Sequence, residues 1–303
     1  MHDPEVTPLD RIDRVSEEQE ARRAARDALA AVFEQTCTVA GDPDLLDHRS
    51  YLLPLLGHLH DQDVEAAVPP GRWLARQLVD WPAGDEDRRR ALTVFLSRAV
   101  CQLAPGSRSV PERARADVWD AVLLSAHQLN GSGHAILGQA GIGQGRLEQL
   151  ITEASELRPL DDVAQARSVG RRRADPGPEL RALAVDRGLL AAASRAIGLP
   201  LRPAYRAVYN YYEQPGAHVP PHLDVRSPVA VLFMLEHVFP SMPCQPSTLV
   251  LHSAGAEATR LALAPGEAVV FRGGGTVHGR EPVAEGERVT TGLVNFLRDE
   301  DGS

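Results

Sequence analysis

His222 and Asp224 stand two residues apart, at the end of the run Gln214-Pro215-Gly216-Ala217-His218-Val219-Pro220-Pro221-His222-Leu223-Asp224. Residues i and i+2 of an extended strand point to one face, so an imidazole and a carboxylate can reach one metal ion from a short stretch of backbone. A third ligand must come from elsewhere. His278, in Thr276-Val277-His278-Gly279-Arg280 after the turn Gly273-Gly274-Gly275, is the best candidate. Two histidines and one carboxylate on one face of an ion leave three positions open opposite, the arrangement that suits non-haem iron(II). A chelating 2-oxo acid would take two of those positions and dioxygen the third.

Arg288 follows His278 by ten residues, and Thr290 lies two further on. On a strand the two share a face. A guanidinium binds a carboxylate through two parallel hydrogen bonds and a neighbouring hydroxyl adds another, which suits the far carboxylate of 2-oxoglutarate. Among the other histidines, His218 and His237 read as ordinary hydrogen-bonded residues. His252, after the apolar run Leu249-Val250-Leu251, is the one serious rival to His278, and it lacks the downstream arginine. Arg280 is a candidate for a substrate carboxylate or else a solvated strand-end charge. Arg171-Arg172-Arg173 suits an anionic substrate or a carrier phosphate, against the simpler reading of a solvated loop. His58 and His60 are two apart on an expected helix, where such residues do not face each other, so no metal site is expected there.

The His222-x-Asp224 pair, a histidine 54 positions after Asp224, and Arg288-x-Thr290 together resemble the iron(II)/2-oxoglutarate-dependent dioxygenase superfamily. The run Gln214 to Asp224 is similar to the P-G-x(5)-H-x-D approach of its prolyl-hydroxylase-like and nucleic-acid demethylase branches. The resemblance covers about Gly131 to Arg298 and leaves the N-terminal part unassigned. It implies an α+β chain built on a double-stranded β-helix, a cupin-like jelly roll, with flanking helices. It implies iron(II), 2-oxoglutarate and O2 as cofactor and co-substrates, with ascorbate as a stimulant, and hydroxylation of a C–H bond. It also implies that Tyr211 or Tyr209, which share a strand face, gives a hydroxyl to the co-substrate; Tyr212 faces the other way unless a bulge near Pro215-Gly216 shifts the register. Asp224 fills the position a halide would need, which argues against halogenation. The substrate expected is a small molecule, an amino acid or peptide-like biosynthetic intermediate. The alternatives are a protein or carrier-bound residue, docked on the helical half, and a non-catalytic jelly-roll metal sensor or binding module.

The elements that must position these residues change character along the chain. Helical spacing covers Glu17–Phe33, Asp44–His60, Arg72–Val79, Glu86–Leu103 and a segment from Glu112 to about Leu129. After Asn130-Gly131-Ser132-Gly133 the pattern shifts, giving two expected regions: a helical one over 1–130 and the metal-binding domain over 131–303. A short strand is expected at His134–Leu137, a helix at Gly145–Leu157, a polar loop over Arg158–Pro178 and one helix over Glu179–Ile197. From Ala204 the period is two. Candidate strands fall at Ala204–Tyr212, His218–His222, Val229–His237, Ser247–His252, Thr259–Leu263, Ala268–Phe271, Thr276–Arg280 and Arg288–Leu297, separated by Gly/Pro turns. Short strands at near-regular spacing suit a sandwich or jelly roll.

Composition sets outer limits. The chain has 303 residues, 43% of them hydrophobic, enough for a sizeable core. Its net charge of -9 gives no general attraction to nucleic acid or an anionic membrane, so neither is expected as a partner. All basic residues are arginine, which excludes a lysine Schiff base or a P-loop lysine. Cys37, Cys101 and Cys244 are far apart and read as reduced thiols of a cytoplasmic protein. Residues 1–26 hold no apolar signal region, and no apolar run reaches the ~18 residues that span a bilayer. Oligomeric state is not readable.

Overall fold

The structure, a computed structural model, describes parts of residues 19–34 and residues 86–103, 112–138, 142–159, 169–225, 229–239 and 245–299. The helices expected at Asp44–His60 and Arg72–Val79, with His58 and His60, lie outside the described residues. The chain divides into two compact units, Met1–Ser125 and Ala126–Ser303.

In the first unit α1 spans Glu86–Leu103, and α2, Glu112–Asn130, begins there. Leu92, Phe95, Leu96, Ala99, Val100 and Leu103 recur at three- and four-residue steps along α1, and all are buried. Ala91, Thr93, Val94 and Ser97 are buried as well, so the middle of this helix is enclosed nearly all round.

The second unit contains β1 (His134–Gly138), α3 (Gln144–Glu156), β2 (Arg171–Ala174), α4 (Pro178–Ala184), α5 (Arg187–Ile197) and β3 (Leu201–Tyr212). The strands β4 (Val219–His222), β5 (Val229–Val238), β6 (Leu249–His252), β7 (Thr259–Leu261), β8 (Ala268–Phe271), β9 (Val277–Arg280) and β10 (Arg288–Arg298) follow. They form two antiparallel sheets. The larger has the order β1-β8-β5-β10-β3-β2 and the smaller β4-β9-β6-β7.

The large sheet is apolar on both faces, and alternation along its strands decides which residue goes where. Tyr209, Tyr211, Val231, Phe233, Val294 and Phe296 pack with Leu147, Leu150, Leu180, Leu183 and Leu189 from α3, α4 and α5. Their strand neighbours Tyr212, Ala230, Met234, Val269, Phe271 and Val289 share the second core with Val219, Leu249 and Leu251 of the small sheet. One face of the large sheet therefore meets helices and the other meets the small sheet.

Two expectations are corrected. The single helix over Glu179–Ile197 is two helices, because the Asp186 carboxylate accepts from Leu189 N at 2.8 Å and caps a new N-terminus. The loop over Arg158–Pro178 contains β2, an edge strand whose three arginines pair with Tyr212, Tyr211 and Asn210 of β3. A run of like charges hides strand character until a partner strand supplies the hydrogen bonds.

Candidate metal centre

β4 and β9 bring the two histidines together. Val219 pairs with Arg280 and His222 with His278, with a register shift between. Pro220 and Pro221 occupy the shifted stretch. Proline has no N–H to give to a ladder, so an irregular strand stretch is where a pair of them is tolerated. Gly279 faces this bulge: a Cβ there would stand 2.8 Å from Val219 O and 3.1 Å from Pro221 N. Only glycine lets the two backbones approach so closely. Asp224 lies just beyond β4, and its backbone N–H donates to Gly273 O at 2.8 Å, which ties it to the glycine turn preceding β9.

The ligand atoms of His222, Asp224 and His278 lie within 4.8 Å of one another. His222 Nε2 is 3.8 Å from Asp224 Oδ1, and His278 Nε2 is 3.5 Å from Asp224 Oδ2. All three donors are thus close enough to approach one ion together. Both imidazoles are set for it. His222 Nδ1 bonds Pro220 O at 3.0 Å and His278 Nδ1 bonds Thr276 O at 2.9 Å. A carbonyl can only accept, so each Nδ1 carries the proton and each Nε2 lone pair is left for a metal. The rings stand 4.2 Å apart, and Phe271 packs 4.6 Å from His278. Burial, and then the neighbouring His278, hold the His222 imidazole below the usual histidine range, which keeps it neutral. A 2-His-1-carboxylate donor set fits iron(II).

The remaining expected site residues are divided between the two faces of the large sheet. Tyr209 and Tyr211 are fully buried on the helix side. The Tyr209 hydroxyl donates to Glu153 Oε1 at 2.6 Å and the Tyr211 hydroxyl to Ala154 O at 2.7 Å. Neither phenol turns toward His278. Their neighbour Tyr212 shares the core that contains Phe271. Thr290 and, two residues earlier on β10, Arg288 take the helix side as well. Thr290 pairs with Tyr211, and its hydroxyl donates to Glu236 Oε2 at 3.2 Å. Arg288 is 50% exposed and lies 3.6 Å from Glu236 Oε1. Val289 between them faces the second core.

Arg280 is brought in instead. It follows His278 by two residues on β9 and is 5% exposed. Nη1 donates to Ser247 O at 3.2 Å and to Ser247 Oγ at 3.1 Å, and Cζ lies 5.3 Å from the Tyr212 ring centroid. Beside it is a buried polar cluster that sequence reasoning missed. Glu287 Oε1 accepts from Ser247 N, Ser247 Oγ and His237 Nε2 at 2.7–2.8 Å, and Oε2 accepts from Ala284 N at 2.8 Å. The one available signal was an acidic residue directly before the arginine at a strand start. His252 sits on β6 across from Val277 and is not among the three grouped ligands. On β2, Arg171 and Arg173 pair with Tyr212 and Asn210 and so share the second-core face, while Arg172 pairs with Tyr211 and bonds Glu213. The Arg173 charge is depressed by burial and by Arg171, and supported by Tyr212 and Asp224.

No protein-family model and no curated protein matches the chain. Solved structures do. A prolyl-4-hydroxylase from Pseudomonas putida is 20% identical, over 57% of this chain and 97% of that one, with a TM-score of 0.44. An oxidoreductase of the 2OG-Fe(II) oxygenase family from Burkholderia pseudomallei is 17% identical, over 55% and 86%, with a TM-score of 0.43. SnoN, a non-haem α-ketoglutarate-dependent epimerase of nogalamycin biosynthesis, is 15% identical, over 57% and 80%, with a TM-score of 0.45. At such identities and scores the reading of this chain rests on its own site.

Proposed function

We propose that this chain is an iron(II)- and 2-oxoglutarate-dependent oxygenase that hydroxylates a C–H bond of a small molecule. The observation that carries the reading is the His222–Asp224–His278 cluster, with both Nδ1 atoms bonded to backbone carbonyls and both Nε2 atoms turned to one carboxylate. In this reading the two sheets are the halves of a double-stranded β-helix within 131–303, and 1–130 is a separate helical region. When bound, the iron couples oxidative decarboxylation of the 2-oxo acid to transfer of one atom of dioxygen into the substrate. The chain's own part is to fix three ligands on one face, leave the opposite face open, and keep that face dry with Phe271 and its neighbours.

Arg171 and Arg173 on the same sheet face favour a substrate that carries an anionic group, as an amino acid or peptide-like intermediate does. The cysteine usage and net charge suit a cytoplasmic enzyme.

The test is turnover. Protein reconstituted with iron(II) should consume O2 and convert 2-oxoglutarate to succinate, and His222→Ala should abolish both. Stoichiometric iron binding with no succinate, across a panel of carboxylate-bearing small molecules, would remove the oxygenase reading.

A further inference from the structure

Two glycine-rich stretches far apart in the sequence, Asn130-Gly131-Ser132-Gly133 and Gly273-Gly274-Gly275, meet in the second unit. Gly131 ends α2. It takes a left-handed conformation, φ 66°, and its N–H donates to His127 O at 2.7 Å. The Ser132 N–H donates to His127 Nδ1 at 3.1 Å, so the chain turns sharply off the helix. That turn lays 130–133 against the stretch before β9. Asn130 Nδ2 donates to Gly274 O at 2.8 Å, Gly133 N donates to Thr276 Oγ1 at 3.1 Å, and Arg272 N donates to Gly133 O at 3.0 Å. A Cβ at Gly275 would overlap Gly131 O, so only glycine allows this approach.

The same turn carries two of the three candidate ligands. Gly273 O accepts from the Asp224 N–H, and Thr276 O accepts from His278 Nδ1. Thr276 is buried, and its two oxygens do different things. The carbonyl sets the tautomer and direction of the His278 ring, and the hydroxyl ties the residue to Gly133. The His222 ring is set from within β4, by Pro220 O. Glycine loses more conformational freedom on ordering than any other residue, so three in a row make a turn with little stiffness of its own. Its order must come from contacts outside it, and 130–133 supplies them.

We infer that Asn130 and Thr276 are positioning residues of the metal centre: they lock the turn 273–276 to the end of α2, so that Asp224 and His278 are presented to one ion together. This rests on the metal centre proposed above. Each residue acts through the backbone, Asn130 by way of Gly274 O and Thr276 by way of its own carbonyl.

Cobalt(II) binding to metal-free protein tests it without turnover. It is read as affinity and as the visible absorption band of the bound ion, which responds to ligand geometry. Thr276→Val keeps the shape and removes the hydroxyl; Asn130→Ala removes the amide. Each should weaken cobalt by ~10-fold or more and shift the band, as loss of a residue that orients a ligand does. Thr276→Ser restores the hydroxyl and should return affinity to within ~3-fold of wild type, with the wild-type band. Urea denaturation of the metal-free proteins separates positioning from general stability, because a residue that only stabilises the fold lowers the midpoint and leaves affinity and band alone. Asn130 is half-buried, so its variant still reads the inference if Thr276→Val does not fold. Wild-type affinity and band in Asn130→Ala or in folded Thr276→Val, or no recovery in Thr276→Ser, overturns the inference. Wild-type protein that binds no cobalt overturns the proposed metal centre itself.

Discussion

His222 stands directly across from His278 in the antiparallel pair β4–β9, although β4 takes three residue steps from Val219 where β9 takes two from Arg280. The extra residue is accommodated at Pro220-Pro221, and Gly279 opposite gives the room. The metal centre thus depends on a backbone irregularity as much as on its ligands.

Gly279→Ala should therefore damage the site without touching a ligand. The new methyl would press on the β4 backbone, which cannot swing away as a flexible side chain can. A loss of about 1–3 kcal/mol of stability is expected, with weaker iron binding. Urea denaturation and an iron titration read the two effects; an unchanged iron affinity would show that the bulge does not position His222.

Removing a ligand should be more severe. His222→Ala, Asp224→Ala and His278→Ala should each reduce iron binding by more than the 10–100-fold typical of residues that only orient a ligand. His252→Ala should keep full occupancy. Metal analysis after desalting distinguishes these, and loss of iron in His252→Ala with retention in His278→Ala would exchange the third ligand.

The tyrosines of β3 separate by face. Tyr209→Phe removes a charge-assisted hydrogen bond to Glu153, so about 1.5–3 kcal/mol should be lost; Tyr211→Phe removes a neutral one, at about 0.5–1.5 kcal/mol. Neither should change the affinity of metal-loaded protein for 2-oxoglutarate. A weakened affinity in either variant at undiminished stability would return that tyrosine to the site.

Acid sensitivity should trace in part to Glu287. Burial works to raise its carboxyl, and the hydrogen bonds from His237, Ala284 N–H and Ser247 outweigh it, so its folded value lies below the ordinary one of about 4.3. A lowered carboxyl contributes stability that is complete above its unfolded value and is lost as pH falls through the folded one. Metal-free protein should thus lose stability below about pH 4.3, and Glu287→Gln, weaker at neutral pH, should lose less over that range. Parallel acid limbs in the two proteins would assign the sensitivity elsewhere.

The sequence by itself determined the elements and the three candidate ligands. Alternation over β5 and β8, the breakers between strands, and the His222-x-Asp224 spacing are local properties, and each strand expected from Ala204 onward lies within a few residues of an observed one. Asp186, whose side chain starts a helix, was also legible but hidden inside an apolar helical run.

Only the tertiary structure decided which face each β-strand residue takes. Tyr211 and Tyr212, or Arg288 and Val289, differ by one residue and therefore by a full change of side, from helices to the small sheet. The irregularity of β10 against β5 between Thr290 and Thr291, and that of β4 against β9, are set by pairing with strands distant in sequence. No local pattern carries that information. A strand can bury either face with similar residues when both faces are apolar, and only the packing of two sheets and three helices around β3, β5 and β10 settles that Val289, not Arg288, takes the side of the small sheet.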